Sequence, residues 1–401
     1  MSLFLDFKNC FTEELSHLMP MIEEFKKIEM PAFVTQEPYT EEDIKKCEKL
    51  KKFDNVLLIG NGGSVNGSRA FYGSLSSKRK FEFITSMEPD FLNDVCDRFS
   101  KNDTLVLAVS KSGTTVGVLE ALMYFLNRDY EVAVITSKEG TLYELAEKKG
   151  LEIMIHPQVG GRFAAGTICG LAPACLMGAN VKLLEKGFRN AFEKYSPKNG
   201  LNENNALYLA SILYILENKG KHDVFIPVYS YRISSFLPII IQLMHESFGK
   251  NGMGQSYFGD LAPESQHHTN QRFFGGRKNI CALFMHVLNQ EDSSEEIFVP
   301  DELKNIPFKG ENLDILTGIS YNKALEFEYS GTFEDAVNKK FPVIDLSVDK
   351  VDEKSVGELM GFWQYVAVYS SLLRCVNPYD QPQVEDSKKI SLQKRREFKS
   401  Q

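Results

Sequence analysis

Thr104-Leu105-Val106-Leu107-Ala108-Val109-Ser110-Lys111-Ser112-Gly113-Thr114-Thr115 carries the strongest structural signal in the chain. Its first part is apolar and rich in β-branched residues, the pattern of a buried strand. Beyond it, Val116, Leu119, Leu122, Met123 and Leu126 recur at helical spacing. The segment is therefore a strand-turn-helix corner carrying four hydroxyls and a glycine. Such a corner presents free backbone N–H groups at the positive end of a helix, with side-chain donors beside them. That is a site for a phosphate. An ordinary N-cap needs one hydroxyl; Ser110, Ser112, Thr114 and Thr115 exceed it. They are the expected contacts, with Lys111 contributing its backbone N–H more than its ammonium.

On either side of this segment, apolar runs fall at 55–60, 81–85, 131–137 and 151–156, with helical patterns at 64–75, 116–127 and 141–149. Alternating strands and helices predict a parallel sheet covered on both faces. A long helical stretch is expected over 164–194, interrupted at Gly166, Gly170 and Gly178. A second set follows, with strands at 224–229, 279–287, 313–319 and 343–348 and helices at 203–218, 234–248 and 353–375. The expectation is α/β: two doubly wound parallel-sheet domains with a C-terminal helical tail. The divisions are an N-terminal helical segment 1–50, a first domain 51–200, a second domain 201–378 and a C-terminal arm 379–401, with the break near 201–205. A second corner, Gly60-Asn61-Gly62-Gly63-Ser64, again joins strand to helix. Val65 stands where a dinucleotide-binding loop needs its third glycine, and a Lys-Ser/Thr ending is missing. The corner instead suits close approach to a small ligand, with Gly63 and Ser64 as contacts, or a tight turn with no ligand.

The bulk numbers fit an ordinary soluble enzyme. A chain of 401 residues can bury two full cores. A net charge of −8 argues against a nucleic-acid partner. Seven cysteines without a C-x-x-C pair suit a reducing compartment. No signal peptide or membrane span is read, so the cytoplasm is expected.

The two corners together resemble the sugar isomerase (SIS) fold, and the tandem pair at this length resembles the phosphoglucose isomerase family. Four more segments carry the likeness. Val159-Gly160-Gly161-Arg162 is similar to the family's G-G-R segment. Gln242 and Glu246, followed by Ser247, Gly249 and Lys250, match Q-x-x-x-E-S-x-G-K. Gln266-His267 with Gln271 match Q-H-x-x-x-Q, and Asp380-Gln381 through Val384, Glu385 and Lys388 resemble the terminal D-Q-x-x-V-E-x-x-K. The chain is shorter than common members, and His268 directly follows His267. The resemblance implies reversible isomerisation of glucose 6-phosphate to fructose 6-phosphate through ring opening and a cis-enediol, in glycolysis and gluconeogenesis. It implies no cofactor, no metal, no nucleic acid and no membrane. It also implies a homodimer whose subunits share active sites, the ring-opening histidine coming from the partner chain.

The roles follow from residue chemistry. One base can serve both carbons of an enediol, and Glu246 sits among Ile239, Ile240, Ile241, Leu243 and Met244. Burial there would raise its pKa and strengthen it as a base; the competing arrangement is a surface pair with Lys250 at i,i+4. Arg162 offers a fixed fork of donors to a developing enediolate, or else an ordinary ion pair. His267 titrates near neutrality and suits ring opening. A histidine doublet also suggests a metal, but no Cys, Asp or third His lies nearby at ligand spacing. Lys388 lies in a basic run that reads as a solvated face; only the resemblance makes it catalytic, at the ring oxygen. Gln242 and Gln381 would orient hydroxyls or phosphate. The alternatives are a phosphosugar-binding regulatory module, or an isomerase of broader phosphosugar specificity. An amino-sugar synthase would need an amide-transfer domain, for which residues 1–52 are too few.

Overall fold

The computed structural model describes residues 3–290 and 295–400; positions 1, 2 and 401, which end the expected first and last divisions, lie outside it. Five strands build the first sheet: β2 (Asn55–Ile59), β3 (Lys80–Ile84), β4 (Thr104–Ser110), β5 (Glu131–Thr136) and β6 (Glu152–Ile155), after β1 (Leu3–Lys8) of the other sheet. The order is β3-β2-β4-β5-β6, all parallel. The strand order reverses between β2 and β4, so their carboxyl ends frame the crevice where open α/β sheets bind ligands. Both corners singled out in the sequence stand there.

The second sheet contains β7 (Asp223–Tyr229), β8 (Ser256–Leu261), β9 (Ile280–Val287) and, beyond the small hairpin β10 (Pro307–Phe308) and β11 (Glu311–Asn312), β12 (Val343–Val348). Its order is β1-β12-β9-β7-β8. Reading β8, β7, β9, β12 outward reproduces the winding of the first sheet. The fifth place, held by parallel β6 there, is taken here by β1 running antiparallel, with Leu3 opposite Val348 and Lys8 opposite Val343.

Alternation along the strands divides the core. Val56, Leu58, Leu105 and Leu107 face a central cluster that continues into Val224, Ile226 and Leu283 of the second sheet. Leu57, Ile59, Val106 and Ala108 face the other way, under the helices Pro89–Arg98, Val116–Leu126 and Thr141–Lys149. A smaller cluster covers the outer face of the second sheet around Phe225, Phe284 and Phe273. Between the sheets runs Glu353–Leu373, a helix buried nearly all round, which is what an apolar periphery without a polar stripe requires. It meets the helix Val181–Lys194 at backbone distance: a Cβ on Gly357 would lie 2.2 Å from the Leu184 carbonyl oxygen.

Several expectations are corrected. The segment expected to be helical over 1–50 starts with strand β1, whose clean alternation of inward and outward residues pairs it to a distant edge. Residues 313–319 form no sheet strand; Leu313–Leu316 is a short 3-10 turn with Ile315 exposed. In the stretch 164–194 the expected breaks at Gly166 and Gly178 are present, but Gly170 lies inside the helix Ile168–Met177 and does not interrupt it. Strand β8 and the helix Tyr321–Asn338 were not expected. The C-terminal tail is a helix, Glu385–Lys399, with no buried residue; Arg395 ties it to Glu120 at 2.6 and 2.7 Å.

Candidate active site

The Gly60–Ser64 corner packs directly on the segment that carries Arg162. A Cβ on Gly63 would lie 2.1 Å from the Gly161 carbonyl carbon and 2.3 Å from the Arg162 nitrogen, so only glycine allows the two backbones to meet. Gly62 adopts φ 53°, which starts the helix Gly63–Ser74 with Ser64 in its first turn. From the second sheet, helix Leu237–Phe248 brings Gln242 and Glu246 to the same place, one turn apart.

Arg162 is the hub. Its side chain is 3% exposed, and every one of its N–H groups has an acceptor. Nε donates to Ser247 Oγ at 3.0 Å. Nη1 donates to Glu246 Oε2 at 3.1 Å and to Gln381 Oε1 at 2.9 Å. Nη2 donates to the carbonyls of Pro378 and Asp380. Burial draws the guanidinium below its ordinary pKa, and Glu246 opposes that shift. Glu246 Oε1 accepts from Gln242 Nε2 at 3.0 Å, and Gln242 Oε1 accepts from Asn66 Nδ2 at 2.9 Å. Both oxygens of the carboxylate are thus held, while the side chain remains 34% exposed. The expected burial of Glu246 is therefore corrected: its apolar neighbours on the helix face the core, and it faces the cleft.

Lys250 does not pair with Glu246. Its ammonium binds the Asn377 and Asp380 carbonyls and the Asp380 carboxylate, and holds that carboxyl below its usual range. Residues 377–381 are therefore clamped from two sides, by Arg162 and by Lys250, which brings Gln381 to the site.

At the hydroxyl corner, Ser110 Oγ and Thr115 Oγ1 lie 3.0 Å apart, and Ser112 Oγ accepts from Thr114 Oγ1 at 3.1 Å. Thr115 turns to Ser110 instead of capping its helix, so Val116–Leu126 starts with no side-chain cap. Its first N–H groups are left for a ligand. The Lys111 carbonyl is held by Ser137 at 2.6 Å, while its ammonium has no bond among the described residues. The two corners are neighbours: a Cβ on Gly117 would lie 3.6 Å from Asn61 Nδ2.

Two expected residues make no bond to Glu246 among the described residues. His267 ends a short turn, Glu264–His267, and is exposed. His268 is engaged by Thr269 Oγ1 at 2.7 Å and Asp260 at 3.6 Å. Lys388 is exposed on the C-terminal helix, paired with Glu385 at 2.7 Å. The sequence reading overlooked Asn66, and it gave no role to Ser247 or Asp380. The last two stand inside the quoted motifs; Asn66 was signalled only by a polar amide in a glycine-rich helix start. No described group of three or more His, Cys, Asp or Glu side chains could hold a metal ion.

Two sheets that share the winding of their first four strands, with two strand-helix corners at one switch point and a part-exposed carboxylate on a helix of the other sheet, place the chain among α/β proteins of the phosphosugar isomerase fold. The family model for phosphoglucose isomerase matches residues 39–401. The chain belongs to the phosphoglucose isomerase family. It is 30% identical over 376 residues to a glucose-6-phosphate isomerase of Acholeplasma laidlawii, covering 88% of this chain and 86% of that one. It is 27% identical over 361 residues to the enzyme of that name from Methanocaldococcus jannaschii, covering 87% and 86%. Among solved structures, a protein of Thermus thermophilus described as hypothetical superposes with TM-score 0.83 at 26% identity, covering 98% of this chain and 99% of that one. A glucose-6-phosphate isomerase from Chlamydia trachomatis shares the fold, with TM-score 0.74 at 18% identity over 95% and 84%. No described helix is long and apolar enough to cross a membrane.

Proposed function

We propose that this isomerase interconverts glucose 6-phosphate and fructose 6-phosphate, in glycolysis and gluconeogenesis, as a cytoplasmic homodimer. The observation that carries the reading is Glu246: a carboxylate open to the cleft, held on both oxygens, beside two corners suited to a phosphate. The phosphate sits on the uncapped start of helix Val116–Leu126, with Ser110, Lys111, Ser112, Thr114 and Thr115 around it and Gly63 and Ser64 on the facing corner. Glu246 takes the proton from one carbon and returns it to the next; a fixed carboxylate over both carbons can do both steps. Arg162 positions Glu246 and Gln381, and its charge favours the enediolate as it forms. Gln242 and Gln381 orient sugar hydroxyls.

Ring opening needs an acid and a base, and among the described residues neither His267 nor Lys388 bonds to Glu246. His267, exposed and with no side-chain bond among the described residues, is the group free to enter the site of a second copy. Lys388 lies on a helix with no buried face, as an arm that completes a neighbouring site would. Both features support a site shared between subunits. The test is a coupled assay of fructose 6-phosphate conversion, after chelation of metals, for wild type and Glu246→Gln. Activity that resists chelation and is lost in the variant supports the reading. An inactive wild type that still binds phosphosugar refutes it in favour of a regulatory module.

A further inference from the structure

The two groups that hold Glu246 differ in kind. Arg162 is itself fixed by its other bonds. Gln242 is an amide, and an amide can turn over: its oxygen and nitrogen have similar shape and opposite roles. Only the nitrogen suits an ionised carboxylate, which accepts and does not donate. Something must decide which way the amide faces. Asn66, in the first turn of helix Gly63–Ser74, donates to the Gln242 oxygen at 2.9 Å, which leaves the Gln242 nitrogen on Glu246 at 3.0 Å. The amide also lies close against the glycine corner: a Cβ on Gly62 would lie 2.8 Å from Gln242 Nε2, so only glycine leaves room for it there. This relay crosses between the two α/β units, since Asn66 belongs to the first and Gln242 and Glu246 to the second.

We infer that Asn66 is a positioning residue for the isomerisation: by donating to Gln242 it turns that amide's nitrogen toward Glu246 and registers the base against the glycine corner. The inference rests on Glu246 being the base. Asn66 touches no reacting atom; it acts through Gln242. In Asn66→Ala the Gln242 oxygen loses its donor, and the amide is free to present that oxygen to the carboxylate. In Asn66→Asp the shape is nearly kept but the donor order is reversed: the new carboxylate would draw the Gln242 nitrogen and turn the oxygen onto Glu246.

The experiment measures kcat and KM for fructose 6-phosphate in wild type, Asn66→Ala, Asn66→Asp, Gln242→Ala and the Asn66→Ala/Gln242→Ala double variant, with Tm alongside. Loss of one hydrogen bond predicts that Asn66→Ala lowers kcat about five- to tenfold with KM changed less than about twofold. Asn66→Asp should lose at least as much despite its shape. In the Gln242→Ala background, Asn66→Ala should change kcat by less than about twofold, because its partner is gone. If Asn66→Asp does not fold, Asn66→Ser, which keeps a donor, should retain more kcat than Asn66→Ala. Equal losses in both backgrounds, or an unchanged kcat in the Asn66 variants of an active enzyme, overturn the inference alone. A wild type without isomerase activity overturns the functional reading and this inference with it.

Discussion

Replacing Arg162 with lysine keeps the charge and removes the fork, so it isolates what the geometry contributes. Arginine brings five donors, and all are committed, to Ser247, Glu246, Gln381, Pro378 and Asp380. An ammonium brings three, from a single point. At least two acceptors therefore lose the arginine at a side chain that is 3% exposed; the Asp380 carbonyl still has Lys250 at 2.8 Å, so at least one is orphaned. Each orphaned buried acceptor costs about 1–3 kcal/mol, so the variant should lose at least about 1–3 kcal/mol of stability. The acceptor most easily orphaned is the Pro378 carbonyl, and with one side of the clamp gone Gln381 would shift in the site. Misplacement of a positioning group by about 1 Å can cost about a hundredfold in rate, and kcat/KM should fall by that order. The measurements are urea unfolding followed by fluorescence and the coupled isomerase assay. A stability loss below about 0.5 kcal/mol with kcat/KM unchanged would refute the account of Arg162 as the clamp of this loop.

If sites are shared, two inactive variants, Glu246→Gln and His267→Ala, should complement when refolded together. Each mixed dimer then holds one intact site, and random pairing restores about a quarter of wild-type activity; no recovery despite dimer formation would mean that each chain uses its own histidine. Gly63→Ala forces a Cβ onto the Gly161 and Arg162 backbone, so both Tm and kcat/KM should drop. Gly200→Ala is the control, because φ there is −69° and nothing lies within 4 Å of the added carbon. His156 is buried, with Nδ1 on the Pro157 carbonyl at 2.7 Å, and burial lowers its pKa to about 4. The folded value lies below the unfolded one of about 6.5, so its contribution is complete above that pH and is lost as pH falls toward 4. Between pH 7 and pH 5, wild type should lose about 2 kcal/mol more stability than His156→Gln, read as the difference in urea titrations.

The corners were legible because they combine a buried strand, a turn and a helix within a dozen residues, all local. The pairing of β1 was not: Leu3, Leu5 and Phe7 alternate with outward residues, but the edge they meet is β12 at the far end of the chain. Strand β8, Ser256–Leu261, mixes polar and small residues and is only partly buried, so no apolar run announced it. The helix Tyr321–Asn338 fully buries one residue, Ala336; its stripe of Leu325, Tyr329, Phe333 and Val337 packs only partly buried on the second sheet, and the exposed Tyr321 and Phe327 blur the pattern. At the site, the motifs named the base and its arginine but could not tell that Lys250 turns to the 377–380 loop. That choice depends on a loop well over a hundred residues away. Nor could a motif reveal that Lys388 pairs with Glu385 or that His267 is exposed at the end of a short turn.

The antiparallel seam between Leu3–Lys8 and Val343–Val348 bears on how the chain is made. Of the described strands, β1 is synthesised first, and its partner β12 is the last of the second sheet. Strand β1 must stay unpaired for about twenty seconds to a minute at ordinary synthesis rates. In that interval the first α/β unit can complete its own sheet, since all of its strands lie between residues 55 and 155. The second sheet closes only when its final strand arrives, over the widest sequence separation in the fold. That seam is the strand pairing of highest contact order among the described residues, the kind that forms slowly; loss of β1 would leave β12 as a bare sheet edge, and loss of β12 would bare β9 and strand β1.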